Sequence, residues 1–162
     1  MNLRLAGPLS RYGAFFAIAA LVIDQASKLL VLHLVDFGDD GIVRVAPFLD
    51  IVRAWNTGIS YGLFSQGEDG WWVLGGLKVL AAAFFTFWLA RVERPLEAAA
   101  LGLLIGGALG NAIDRVAYGA VFDFVSLHAF GWYWYVFNLS DVAIVAGVGL
   151  LLYDSFKGSA AK

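Results

Sequence analysis

Two carboxylates stand where the chain offers them least water. Asp123 lies in Val121-Phe122-Asp123-Phe124-Val125, and Asp141 in Phe137-Asn138-Leu139-Ser140-Asp141-Val142-Ala143-Ile144. An Asp at the centre of a membrane helix costs about 2.5–3.5 kcal/mol on insertion scales, so such acids face a bundle interior or a cavity and mark function. Two acids brought together near one membrane surface share a proton, because like charges at close range resist ionising together. One partner is then an acid and the other a base, which is the machinery of aspartyl hydrolysis.

The elements that must hold this pair are membrane helices. Of 162 residues, 60% are hydrophobic and 15% charged, and the mean hydropathy is +0.76. That is too apolar for a water-soluble domain. Residues 13–33, 71–90, 96–112 and 135–153 approach the roughly 20 apolar residues that cross about 30 Å of hydrocarbon. The expectation is an all-α polytopic membrane protein, a four-transmembrane-helix bundle forming one integral domain over residues 1–162. The first stretch has the basic start of a signal peptide in Arg4 and Arg11, but Asp24, Gln25, Ser27 and Lys28 interrupt it, so it reads as a retained span. Arg4, Arg11, Arg91, Arg94, Lys157 and Lys162 flank one side, and Arg44, Arg53 and Arg115 the other, which puts both termini in the cytoplasm. Trp71, Trp72, Trp132, Tyr133 and Trp134 supply an aromatic belt at the opposite interface.

The connections are unequal. Residues 35–70 carry β-branched and aromatic runs around Pro47 and predict a small antiparallel sheet on the outer face. Residues 114–134 are short and mostly apolar, and predict a strand or half-helix lying along the membrane surface. On the third span, Gly102, Gly106 and Gly110 recur every four residues and clear one face for close helix packing. Asn111, Asp114 and Arg115 stand at the end of that helix.

Other chemistries find little support. There is no cysteine, hence no disulfide, thiol nucleophile or Cys-metal site, and His33 and His128 are isolated interfacial side chains rather than metal ligands. A net charge of −2 with no basic stripe leaves no nucleic-acid footprint. Asp24 and Lys28, four apart on the first span, form a structural ion pair. Arg115 could reach another carboxylate or a lipid phosphate. Gly58-Ile59-Ser60-Tyr61-Gly62 spells G-x-S-x-G, but that motif works on a strand-to-helix turn above an α/β sheet, which this composition does not provide. The glycines there suit a tight turn bringing Asn56 against a ligand.

Five blocks, Asp24-Gln25-Ala26-Ser27-Lys28, Asn56-Thr57-Gly58 with Gly62, Gly106 through Arg115, Val121-Phe122-Asp123-Phe124 and Phe137 through Asp141, together resemble the lipoprotein signal peptidase family, also called signal peptidase II. They run in family order over nearly the whole chain. The resemblance implies an aspartic endopeptidase of the bacterial inner membrane that removes signal peptides from prolipoproteins, cutting before a diacylglyceryl-modified cysteine. It puts the sheet and the site at the periplasmic leaflet and the catalytic pair on Asp123 and Asp141. Asn56, Gly58, Asn111, Arg115 and Asn138 become substrate-binding or supporting residues, and Asp24, Lys28 and Asp114 supporting ones. No metal or cofactor is implied. The implied partners are lipidated precursors, membrane lipids and globomycin-type inhibitors, with the chain a monomer. Tyr61 replaces a usual Phe, Val142 a common Ser, and Ser140 the Ala before the second acid, where its hydroxyl is expected to hydrogen-bond Asp141.

The mechanism expected of such a pair is general acid-base attack by water without a covalent intermediate. Two other classes compete. A small proton-coupled transporter would use intramembrane carboxylates but would show inverted repeats, which are absent from this sequence. A structural adaptor would explain the glycines and the belt but not two acids in apolar surroundings.

Overall fold

Residues 6–58 and 70–160 are described by the computed structural model. The described residues run in the order α1 (Ser10–Leu34), β1 (Ile42–Ala46), β2 (Leu49–Asn56), α2 (Gly70–Leu89), α3 (Pro95–Tyr118), β3 (Val121–Ala129), β4 (Trp132–Tyr133) and α4 (Leu139–Ala160). Each of the four helices is long and apolar enough to cross a membrane.

The helices are not equivalent. In α3, 72% of the apolar window is buried, against 17%, 22% and 22% in α1, α2 and α4. α3 is therefore the axle of the bundle, with the other three packed around it and turned outward. Without a hydrophobic drive between helices in lipid, such packing rests on close backbone approach. A Cβ on Gly102 would overlap the Gly13 carbonyl oxygen of α1, and one on Gly106 the Ala17 oxygen. Toward α4, a Cβ on Gly107 would come within 2.6 Å of the Ser140 oxygen. The glycine row thus serves two neighbours, and Gly110 meets the side chains of Asp24 and Ser140.

The sheet draws on both connections. Strand order is β1-β2-β3-β4, antiparallel throughout, so residues 114–134 supply β3 and β4 to the same sheet as β1 and β2. Residues 114–134, expected as a strand or half-helix, form the last turn of α3 followed by β3, which is paired on both sides, and the short β4. β3 is buried from Val121 to Phe124, and Phe122 and Phe124 pack with Phe37 into a second apolar core beneath the sheet. A register shift between Ile51 and Ala54 bends β2 and sets Ala54 opposite Asp123.

Three span limits differ from expectation by four residues or more, one being the end of α4, which runs on to Ala160 rather than stopping at Tyr153. α3 runs on to Tyr118 rather than stopping at Ala112, closing on Gly119 at φ 72°. Its polar end residues Asn111, Asp114 and Arg115 stay helical because partners bury them to 3%, 1% and 3% exposure. α4 begins at Leu139 rather than Tyr135, because Phe137 pairs with Val125 of β3 first.

Gly106→Ala should lower stability by about 1–3 kcal/mol through overpacking. Gly76→Ala, with nothing within 4 Å of the added methyl, should instead leave it unchanged or raise it. Thermal unfolding of both variants in detergent checks the contrast.

Candidate active site

Asp123 and Asp141 come from different elements and meet at one cavity. Asp123 projects from β3; Asp141 sits in the first turn of α4. A cavity of about 340 Å³ is lined by both, together with Asn56, Gly58, Asn111, Arg115 and Lys78.

Asn138 ties the two acids together. Its Nδ2 donates to Asp123 Oδ1 at 2.6 Å, and its backbone N–H donates to Asp141 Oδ2 at 3.3 Å, while its own Oδ1 accepts from the Asp141 N–H at 3.1 Å. That reciprocal pattern is a capping box at the start of α4, so the turn that begins the helix also aims Asp141. Asn111 Nδ2 donates to Asp141 Oδ1 at 3.0 Å, and Asn56 Nδ2 to Asp123 Oδ2 at 3.1 Å. Each carboxylate therefore receives two donors. Burial, then the charge of Asp141, push the Asp123 carboxyl up to about 6, opposed by the hydrogen bonds from Asn56 and Asn138 and by the Lys28 charge.

Behind the pair lies a buried ionic clamp. Lys28 Nζ is 2.8 Å from both Asp24 and Asp114 and 3.4 Å from Asn111 Oδ1. Asp24 Oδ1 accepts the Ser140 N–H at 2.8 Å, and Asp114 Oδ2 accepts the Phe122 N–H at 3.1 Å. Gln25 Nε2 donates to both carboxylates at 3.1 Å. The clamp thus grips the residue before each candidate catalytic acid: Phe122 before Asp123, and Ser140 before Asp141.

Among the described residues Arg115 has no carboxylate within ion-pair distance. Its Nη2 donates to the Gly58 oxygen at 2.9 Å and its Nη1 to the Asn111 oxygen at 3.3 Å. Asn56 Oδ1 accepts the Gly58 N–H at 3.1 Å, so Gly58 is held from both sides. Ile59, Ser60, Tyr61 and Gly62 of the G-x-S-x-G string lie outside the described residues.

The expectation for Ser140 is corrected. Its hydroxyl points at Gly110 and is buried with no hydrogen-bond partner among the described residues. Alternating direction along the first turn of α4 sends Ser140 inward to α1 and α3 and leaves Asp141 on the cavity side. His128, read as an isolated interfacial ring, lies 3.2 Å from Asp50 Oδ2 and stacks on Tyr133 at 4.9 Å.

Gln25 and Lys78 were not singled out from sequence as site residues. Lys78 carried a signal, being the one charged residue of the 71–90 run; attention to basic residues flanking spans passes over one inside a span. Beside the site, a larger apolar groove of about 1140 Å³ follows α4 from Asp141 past Val142 and Val145 to the aromatic residues of β4.

The family model described as Signal peptidase (SPase) II matches residues 16–157. A lipoprotein signal peptidase of Nitrobacter hamburgensis is 55% identical over 151 residues, covering 90% of this chain and 92% of its own length. One from Rhodopseudomonas palustris is 52% identical over 153 residues, covering 91% and 93%. Two solved structures of bacterial membrane enzymes superpose with TM-scores of 0.74 and 0.72 at 28% and 26% identity. The first covers 93% of this chain and 90% of its own, the second 96% and 99%.

Lys28→Met would leave Asp24 and Asp114 buried without their cation and should cost about 3–5 kcal/mol. Ser140→Ala, which removes only an unpartnered hydroxyl, should leave stability unchanged or higher. Denaturation midpoints in detergent measure both.

Proposed function

Because the chain belongs to the signal peptidase II family, a family of membrane peptidases that process lipoproteins, we propose that it is an aspartic endopeptidase working through Asp123 and Asp141. With a peptidase family in hand, the transporter and adaptor readings fall away. The observation that carries the aspartyl reading is the joint lining of one cavity by two carboxylates bridged through Asn138.

In this reading one carboxylate is charged and its partner holds the shared proton. The charged one takes a proton from a water between them, and that water attacks the scissile carbonyl. The protonated one donates to the developing oxyanion and then delivers its proton to the leaving amine. One peptide bond and one water become a carboxylate and an ammonium group, with no covalent enzyme intermediate and no cofactor. Asn138, Asn111 and Asn56 hold the carboxylates in place. Arg115 and Gly58 hold the turn beside Asn56, while Asp24, Lys28 and Asp114 fix the two backbones that carry the acids.

The substrate in this reading is a prolipoprotein whose cysteine bears a diacylglyceryl group, cut on the N-terminal side of that cysteine. The apolar groove along α4 supports it, since acyl chains could stay in the bilayer while the scissile bond lies over Asp141. The enzyme works as a monomer in the bacterial inner membrane, with both termini cytoplasmic and the dyad at the periplasmic leaflet. Globomycin-type inhibitors would occupy the same cavity.

Asp123→Asn and Asp141→Asn should each cut turnover of a lipidated precursor peptide by about 10²–10⁴-fold while the protein stays folded. Either variant retaining near-normal turnover would sink the dyad. The pH dependence of kcat/KM should be bell-shaped. Its alkaline limb follows loss of the proton from Asp123, whose raised value of about 6 means that the protonated form is depleted as pH rises through that range. EDTA should have no effect. For topology, a cysteine at Phe130 should react with an impermeant thiol reagent in spheroplasts and one at Arg94 should not; the reverse pattern would invert the orientation.

A further inference from the structure

Lys78 is a cation with no assigned work. It lies within α2, about 12 Å along the helix from Gly70 at 1.5 Å per residue, in a stretch otherwise free of charge from Trp71 to Leu89. It is half-buried and lines the same cavity as Asp123 and Asp141. Gly75, one turn earlier, lies 3.6 Å from Arg115 Cβ by its would-be methyl, so the α2 face carrying Lys78 is the one turned to α3 and the site.

The other cations of the interior are spoken for. Lys28 is closed between two carboxylates, and Arg115 donates to Gly58 and Asn111. Among the described residues Lys78 makes no hydrogen bond or ion pair; the charges around it are Asp141, which attracts it, and Arg115, which repels it. An intramembrane lysine that lines a cavity and has no partner among the described residues marks a ligand-facing position. Its three N–H groups need acceptors, and an extended peptide laid across the cavity presents carbonyl oxygens with none of their own donors.

The charge count says which oxygen matters most. With one proton shared by the dyad, Asp123 and Asp141 carry one negative charge, and Arg115 and Lys78 carry two positive ones. The cavity lining is thus one positive charge in excess when the substrate is a neutral peptide. Hydrolysis gives a carboxylate on one product and an ammonium on the other, and once the amine product leaves, the carboxylate that stays supplies the negative charge that balances it.

We infer that Lys78 is a substrate-binding residue whose ammonium binds the scissile-side carbonyl oxygens and holds the new C-terminal carboxylate of the cleaved signal peptide. The inference rests on the peptidase reading above. Such a contact is worth more to a charged acceptor than to a neutral one, so it strengthens as the reaction proceeds.

The test compares a synthetic signal peptide ending at the cleavage position as a free acid with the same peptide as a carboxamide. Each displaces a fluorescent carboxamide tracer from detergent-solubilised enzyme. The wild-type protein should bind the acid about 10–100-fold more tightly than the amide, the range for a hydrogen bond to a charged group. Lys78→Met, which places an apolar side chain in an apolar helix, should erase that preference, and Lys78→Arg should retain most of it. The kcat/KM of Lys78→Met for the lipidated precursor should fall about tenfold or more. No acid preference in the wild type, or a preference surviving in Lys78→Met, overturns the inference. Binding requires no turnover, so these results stand apart from the Asp→Asn variants, whose continued activity would instead sink the dyad.

Discussion

The site hangs on one buried ammonium. Lys28 lies between Asp24 of α1 and Asp114 of α3, and the free lone pairs of those carboxylates take the backbone N–H groups of Ser140 and Phe122. Four chain segments far apart in sequence are therefore referred to a single point. Charges this deep cost heavily to desolvate, and their attraction offsets that cost only when the remaining lone pairs and protons also find partners. Here Gln25, Asn111 and the two backbone amides provide them. The arrangement contributes geometry more than net stability: β3 and the start of α4 cannot drift apart without exposing an unpaired charge.

Precision at the acids then comes from amides. Asn138 caps α4 and touches both carboxylates, while Asn111 links Asp141 to Lys28. An asparagine can donate and accept at once without adding charge, which suits a place where two carboxylates line one cavity. Glycine does the complementary work of removing bulk. Gly110 leaves room for the Asp24 carboxylate and the Ser140 side chain, so α3 comes close enough for its own Asn111 and Asp114 to join the network.

Much of this was legible in the chain. An aspartate in an apolar run declares itself because the cost of burying it demands a reason, and that logic picked out Asp123 and Asp141. The spacing of Asp24 and Lys28 foretold their pairing, and four apolar runs foretold the four helices. What stayed hidden depends on three-dimensional closure. Hydropathy ends the third span at Ala112 because it assumes that polar residues leave the membrane, whereas Asp114 and Arg115 are buried by partners on α1 and in the Gly58 turn. The sheet was read from one connection, since nothing local says that β3 pairs with β2. Ser140 was aimed at its sequence neighbour, but successive side chains around a helix point different ways. Lys78 was passed over because basic residues were weighed at the ends of spans, and what distinguishes it is that it lines the cavity with no partner among the described residues.

The axle-like position of α3 sets the dimensionality of the search for substrate. α2 and α4 each pack on α3 rather than on one another, and between them opens the cavity bearing Lys78 and Asp141, which meets at Asp141 the groove between α4 and strands β3 and β4. A molecule anchored in the bilayer can arrive through that fissure by sliding in the plane of the membrane, without ever leaving lipid for water. Encounter is then governed by how many anchored molecules share each patch of membrane and how quickly they diffuse sideways, not by concentration in the surrounding solution.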